Sequence, residues 1–169
     1  MAFTAINPIV LNTPSPAGLA RKSYVATDGQ TWVKGEFCYL NSGAISACTT
    51  TTGSAVVFGI FAKDQTTETA SSESVWIDVL EVGTKLQMCI TNNGSATGAS
   101  ENDAAIGTVY EAYTVSNVAY VDLNATTAGQ FKVLDTYTAL NEEQAAYQSH
   151  TADIEPGWLI CQFILASAT

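Results

Sequence analysis

The feature of this sequence that most constrains its fold is a series of short runs rich in β-branched and aromatic residues, with turn-forming residues between them. The run from Trp32 to Leu40 is followed by Asn41-Ser42-Gly43, residue types that tolerate the positive φ angles of a tight turn. Ala44-Ile45-Ser46-Ala47 starts a second run, so this stretch predicts a β-hairpin. Further strands are predicted near residues 55–62, 74–82, 85–91, 105–113, 118–123, 130–134 and 158–165.

Strands at such short spacing predict an all-β fold, an antiparallel β-barrel or β-sandwich with an extended N-terminal arm. We find no repeat of fixed period and no coiled-coil heptads. The 169 residues are enough for one domain with a hydrophobic core. We expect a single β domain over residues 23–169 with an inserted loop-rich region around 92–155, where residues 139–147 are compatible with one short helical turn.

Residues 1–22 are expected to form the extended arm, because they contain three of the four prolines and proline fixes φ and removes a hydrogen-bond donor. Two interpretations remain open. The arm becomes ordered on a neighbouring subunit, or it is a frayed terminus or lies on its own domain. Its candidate contact residues for another protein are Phe3, Ile6, Pro8, Ile9, Val10, Leu11, Arg21 and Lys22.

The charge balance narrows the classes of partner. Asp and Glu number 16 against 6 Lys and Arg, which gives a formal net charge of -10. Binding to nucleic acid or to an anionic membrane requires cationic side chains, so neither is expected. Charged residues make up only 13% of the chain, against about 25% in soluble domains. A polar but uncharged surface suits a protein packed into an assembly, although a Thr- and Ser-rich β-protein can simply lack charge.

Two predicted strands, 74–82 and 158–165, carry apolar residues on both faces. The last of them is expected to pair with a neighbour on each side. One domain of this size seldom buries so much strand surface alone, which favours a homo-oligomer. Within the run 55–62, Gly59 is expected to mark a bulge or a close approach of two backbones.

The four cysteines, Cys38, Cys48, Cys89 and Cys161, include no pair with C-x-x-C spacing. This pattern does not favour a zinc or redox site. The start of the chain has no basic segment of the kind that opens a secretory signal, so we expect reduced thiols.

Residues for catalysis are scarce. The only histidine, His150, has no second ligand at metal-binding spacing, and a solvated loop histidine is the favoured interpretation. No G-x-S-x-G or nucleotide-binding motif is present. Carboxylate pairs could serve a hydrolase, but 16 acids supply such pairs by chance. We therefore expect no enzyme activity, metal or cofactor. The pairs are Glu142/Glu143, Asp153/Glu155 and Glu101/Asp103.

The tryptophans allow one alternative function. Trp32, Trp76 and Trp158 could line a sugar-binding platform, as in a tail or fibre component that recognises a host glycan. Each lies in an apolar run, however, so packing in a core or interface is the favoured interpretation.

One stretch resembles the small capsid-decoration proteins of tailed bacteriophages. Residues 35–47 follow their pattern of a Gly-acid-apolar strand and a glycine turn, and Val57-Phe58-Gly59-Ile60-Phe61-Ala62 resembles their next strand. Residues 75–82 and 85–90 are similar to the strand pair that follows. The resemblance covers about residues 30–91, and residues 92–155 look like additions to the compact pattern.

The resemblance implies a β-barrel or β-sandwich that binds the outer surface of a phage head and stabilises its lattice. It implies the major capsid protein as partner, assembly as a trimer or, as an alternative, a dimer, and synthesis in the bacterial host cytoplasm. It implies no catalytic residues.

Overall fold

The computed structural model describes residues 7–48, 57–91, 104–126, 129–136 and 158–164. Within these ranges the chain contains eleven β-strands and no helix, which confirms the all-β prediction. The predicted helical turn at 139–147 lies outside the described residues. The strands are β1 (Ile9–Asn12), β2 (Ala20–Val25), β3 (Phe37–Asn41), β4 (Ala44–Ala47), β5 (Val57–Phe61), β6 (Ser74–Val79), β7 (Lys85–Thr91), β8 (Val109–Val115), β9 (Val118–Asp122), β10 (Phe131–Thr136) and β11 (Trp158–Phe163).

Six strands form one sheet in the order β1-β7-β11-β10-β8-β9, and an additional pairing of β9 with β7 closes five of them into a barrel. The closing pair is parallel, from Cys89↔Tyr120 to Thr91↔Asp122, and departs from the antiparallel pairing of the other strands in this sheet. Strand β11 pairs with β7 on one side and with β10 on the other. The prediction that the last strand pairs on both sides is therefore confirmed.

The other five strands form a second antiparallel sheet in the order β2-β6-β5-β3-β4. The predicted hairpin is confirmed as β3 and β4, and its turn residues Ser42 and Gly43 have φ angles of 49° and 90°. Ala26, just after β2, forms a parallel bridge with Ile45 of β4. The two edges of this sheet therefore approach each other, and the sheet curls around its own small core.

The buried apolar side chains of the two sheets form two main cores. Phe37 of the second sheet stacks on Phe131 of the barrel with ring centroids 5.0 Å apart, so the main core spans both sheets. Phe61 belongs to the smaller core inside the second sheet, where it stacks on Trp32 at 4.0 Å. Strands of the second sheet that are apolar on both faces thus bury each face in a different core of the same chain.

Gly59 lies where β5 and β6 come closest. A Cβ atom at this position would lie 2.6 Å from Cγ2 of Ile77 and 2.7 Å from the carbonyl oxygen of Asp78. Any side chain would collide with backbone as well as with a core residue, so only glycine fits. The close backbone approach predicted for Gly59 is confirmed.

The described part of the arm lies on the chain's own barrel. Strand β1 pairs with the first half of β7, at Ile9↔Gln87 and Val10↔Leu86, while β9 pairs with its second half. Since β11 occupies the opposite edge of β7, strands β1 and β9 share one edge. Strand β2, which starts at Ala20 within the expected arm, instead joins the second sheet.

Asn7 holds the arm at this junction. Its Nδ2 donates hydrogen bonds to the carbonyl oxygens of Lys34 (3.2 Å) and Asn117 (3.0 Å), and its Oδ1 accepts one from the N–H of Ala119 (2.9 Å). One side chain therefore links the arm, the β8–β9 hairpin and the turn before β3.

We expect Asn7→Ala to lower the free energy of unfolding by about 1–3 kcal/mol, because backbone groups on two separate elements lose their partner. Asn12→Ala is the matched control, since Asn12 is an exposed asparagine of the same arm, at the end of β1, and surface changes usually alter stability by less than about 0.5 kcal/mol. Urea unfolding measures both. Equal stability of the two variants would contradict a locking role for Asn7.

Candidate protein-binding surface

Strand β1 exposes apolar side chains at an open sheet edge. Ile9, Val10 and Leu11 are 42%, 37% and 46% exposed, and among the described strands β1 is the terminal one of its sheet, paired only with β7. Successive side chains of a strand point to opposite faces, so the exposed apolar surface extends over both faces. Edge strands are usually protected by charges, prolines, bulges or short length; β1 contains no charge or proline between Ile9 and Asn12, but it is only four residues long. Its only irregularity is a register shift between Val10 and Asn12.

The structure brings part of the predicted contact set together and separates the rest. Ile9, Val10 and Leu11 lie side by side on β1, whereas Pro8 is buried and Arg21 and Lys22 are exposed on β2. Phe3 and Ile6 lie outside the described residues. Residues of β1 and β2 and of the segment between them border a groove of about 430 Å³ between the two sheets. The groove is lined by Val10, Thr13, Gly18, Leu19, Arg21 and Asp78. This groove was not anticipated from the sequence, because it depends on β2 pairing with β6.

Arg21 is fixed over this groove by Asp78, its partner on β6. Its Nε and one terminal nitrogen donate to the two carboxylate oxygens of Asp78 at 2.7 and 2.9 Å. This hydrogen bond, with the charge of Asp78, raises the pKa of Arg21. The pair is largely solvated, so its main effect is to hold the guanidinium in one orientation rather than to stabilise the fold. The groove thus combines apolar walls with an oriented ion pair.

A second surface surrounds Trp76 on β6. Its side chain is 48% exposed, whereas Trp32 is buried in the smaller core as expected. Trp76 borders a groove of about 270 Å³ that is also lined by Trp32, Lys63, Asp64, Gln65, Ser74 and Val75. The prediction for Trp76 was packing in a core or an interface; its exposure excludes the core, and the interface stays a prediction. The alternation Val75–Trp76–Ile77 was the available signal, because Val75 and Ile77 point inward and leave Trp76 on the outer face. The side chain of Trp158 lies outside the described residues.

The cysteines are buried and free of disulfide bonds. Burial raises the pKa of the Cys38 and Cys161 thiols. It also raises the pKa of Cys48 to about 12, with a contribution from the nearby Glu36 carboxylate. The thiolate is the nucleophilic form of cysteine, so these three thiols are protonated and unreactive near neutral pH.

Other candidate chemistry is absent from the part of the chain that the structure describes. Across those ranges, no group of three or more His, Cys, Asp or Glu side chains is placed to hold a metal ion. Nor does any helix there have the length and apolar character needed to cross a membrane. His150 and the carboxylate pairs at 101/103, 142/143 and 153/155 lie outside the described residues.

Comparison with known proteins adds no relative: no family model, curated protein or solved structure matches the chain. The functions proposed for the surfaces at β1 and Trp76 therefore rest on their geometry.

Glu36 is the buried acid of the second sheet, and its oxygen Oε1 accepts a hydrogen bond from the N–H of Val33 (2.6 Å). Desolvation raises the pKa of Glu36, and the Val33 hydrogen bond offsets this only in part. The folded protein then binds this proton more tightly than the unfolded chain, whose Glu pKa is about 4.3. The resulting stability is present below that pH and is lost as pH rises through the folded-state pKa.

We expect Glu36→Gln to remove this contribution and to flatten the decline in stability as pH rises from about 4 towards neutrality. The amide oxygen can still accept the Val33 N–H, so the fold is retained. Urea unfolding at a series of pH values measures the effect, with the exposed Glu68→Gln as control. A pH profile identical to that of the unmodified protein would contradict this assignment.

Proposed function

We propose that this protein is a structural decoration, or cement, protein that binds the outer surface of a phage head and stabilises its lattice. The single observation that carries the proposal is strand β1, an uncharged apolar strand displayed at an open sheet edge. Such an edge offers main-chain donors and acceptors to an added strand, while exposed side chains add apolar contacts. The resemblance of residues 30–91 to decoration proteins supports the choice of partner, the major capsid protein.

The local charge around β1 also supports a docking role. Lys85 of β7 is paired with Asn12 of β1, and Arg21 of β2 lines the groove beside β1 together with its ion-pair partner Asp78. Two basic residues, Lys85 and Arg21, are thus near this surface, although Asp78 pairs with Arg21 and the protein as a whole is strongly acidic. Opposite charge distributions orient two proteins as they meet, so this arrangement favours an acidic partner surface and docking by the β1 side.

The proposed mechanism is mechanical, without catalysis or a cofactor. A rigid β module that contacts two capsomers must lose both contacts before the capsomers separate, and the second contact forms at high effective concentration. Assembly as a homo-oligomer, with three copies favoured over two, would multiply such contacts. Synthesis in the bacterial cytoplasm and a final location on the outside of the virion belong to the same proposal.

The first test is physical association. Particles from a lysate of the cells that encode this chain are separated on a density gradient, and the fractions are quantified by mass spectrometry. We expect the protein in the head fraction, at a copy number near that of the major capsid protein. Its presence only in tail or fibre fractions, or only outside particles, would overturn the proposal.

The second test addresses β1 directly. We expect the double change Val10→Thr and Leu11→Thr to weaken binding to undecorated heads by roughly tenfold or more, because central apolar contacts typically contribute over 1 kcal/mol each. Threonine keeps the β-propensity of the strand while removing apolar surface. Point changes are preferable to deleting the arm, since a deletion also removes the hydrogen bonds of Asn7.

Ile106→Thr is the matched control, because Ile106 is 65% exposed and lies in the turn before β8. All the substituted residues are exposed, so unfolding free energies are expected to change by no more than about 0.5 kcal/mol per site. Sedimentation of heads with labelled protein gives the affinity. Unchanged binding of the double variant would contradict the role of β1.

A further inference from the structure

The indole of Trp76 is left uncovered by its neighbours on the sheet. Ser74 lies two residues earlier on the same face of β6, and Ser23 of β2 is directly opposite Trp76 in the strand pairing. Both are small residues that cannot cover a ring as large as indole. Asp78, two residues later on this face, is engaged by Arg21, and the half-exposed indole presents a flat apolar face to solvent.

The opposite wall of this groove is polar and held in place. The main chain of Gln65 makes two hydrogen bonds with that of Trp32, at 2.9 and 3.1 Å, and the Trp32 indole N–H donates to the carbonyl oxygen of Lys63 (3.0 Å). Residues 63–65 are therefore tied to a side chain buried in the smaller core. Such fixed polar groups lose little entropy when a ligand binds.

The side chains of this wall are also oriented. Oδ1 of Asp64 accepts the N–H of Lys34 at 2.7 Å, which leaves Oδ2 out of that bond. Nε2 of Gln65 donates to Oε1 of Glu73 at 3.2 Å, which leaves the amide oxygen of Gln65 out of that bond. A carboxylate and an amide thus line the same groove of about 270 Å³ as Trp76.

We propose that the Trp76 groove is a binding site for a neutral carbohydrate. A pyranose ring has one face of C–H groups that can lie on the indole, and hydroxyl groups on its rim that can donate to Asp64 and Gln65. A few placed polar groups beside an apolar surface are the usual composition of a small-molecule site. The site is a different groove from the one beside β1, and the proposal does not depend on capsid binding.

The charges near the groove select among ligand classes. Among the described residues, Asp64 and Lys63 line the groove with one charge of each sign, and Glu73 lies behind Gln65, outside the lining. An anionic ligand, nucleic acid included, would gain no net attraction from this lining and would meet the negative charge of the whole chain. A neutral sugar avoids this repulsion. A protein partner is the remaining alternative, because exposed tryptophans are frequent anchors of protein interfaces.

The test uses the full-length protein and a panel of neutral oligosaccharides built from hexoses and N-acetylhexosamines, read out by an array and then by calorimetry. We expect at least one neutral glycan to bind, and Trp76→Ala to weaken that binding by roughly tenfold or more through loss of the stacking face. Trp76→Phe should retain part of the affinity. Leu40→Ala is the matched control, since Leu40 is equally exposed, at 48%, on β3 of the same sheet.

Three outcomes would overturn the proposal. The first is a panel without any binder, and the second is a clear preference for anionic over neutral glycans. In the third, Trp76→Ala weakens binding to phage heads while the unmodified protein binds no glycan, which would make Trp76 a protein contact. Because the β1 variants are assayed on heads and the Trp76 variants on glycans, failure of one proposal is distinguishable from failure of the other.

Discussion

The architecture depends on how the edge of β7 is shared. Strand β9 closes the barrel along the second half of β7, in parallel, and β1 covers the first half. Asn7, just before β1, holds β1 next to β9, because its side-chain amide makes hydrogen bonds to Asn117 and Ala119 of the β8–β9 hairpin. Strands β9 and β1 together pair with one edge of β7. Among the described strands, the terminal edge of the sheet on this side therefore belongs to β1. The same arrangement that completes the core therefore creates the exposed strand.

The energetics follow from the division of apolar residues between two cores. In β3, adjacent residues Phe37 and Cys38 enter different cores, and in β5 the same is true of Ile60 and Phe61. A two-sided apolar strand normally suggests burial against another subunit. Here the second sheet and the barrel bury both faces of these strands within one chain. The homo-oligomer prediction came instead from residues 74–82 and 158–165, and it stays a prediction, because the outer face of β6 leaves Trp76 exposed.

The sequence was most informative where local rules decide the structure. The β3–β4 hairpin followed from Asn41-Ser42-Gly43, and the close approach at Gly59 followed from a glycine within an apolar run. The strand character of β1 was hidden because Pro8 and Pro14 flank it and it contains only four residues. The parallel β7–β9 pair joins segments far apart in the chain, which no local pattern encodes. Ile9, Val10 and Leu11 were predicted to be contact residues from their apolar character. The two grooves could not be predicted, because they arise from tertiary packing.

Strand β6 connects the two candidate surfaces. Asp78 orients Arg21 over the groove beside β1, and Trp76, two residues earlier on the same face, borders the other groove. Side chains two apart on a strand are separated by about 7 Å along it. A partner seated on β1 and the Arg21–Asp78 pair would therefore come close to the indole. Asp78 and Trp76 lie on the same strand. The backbone of β6 therefore sets a fixed distance between the two candidate surfaces.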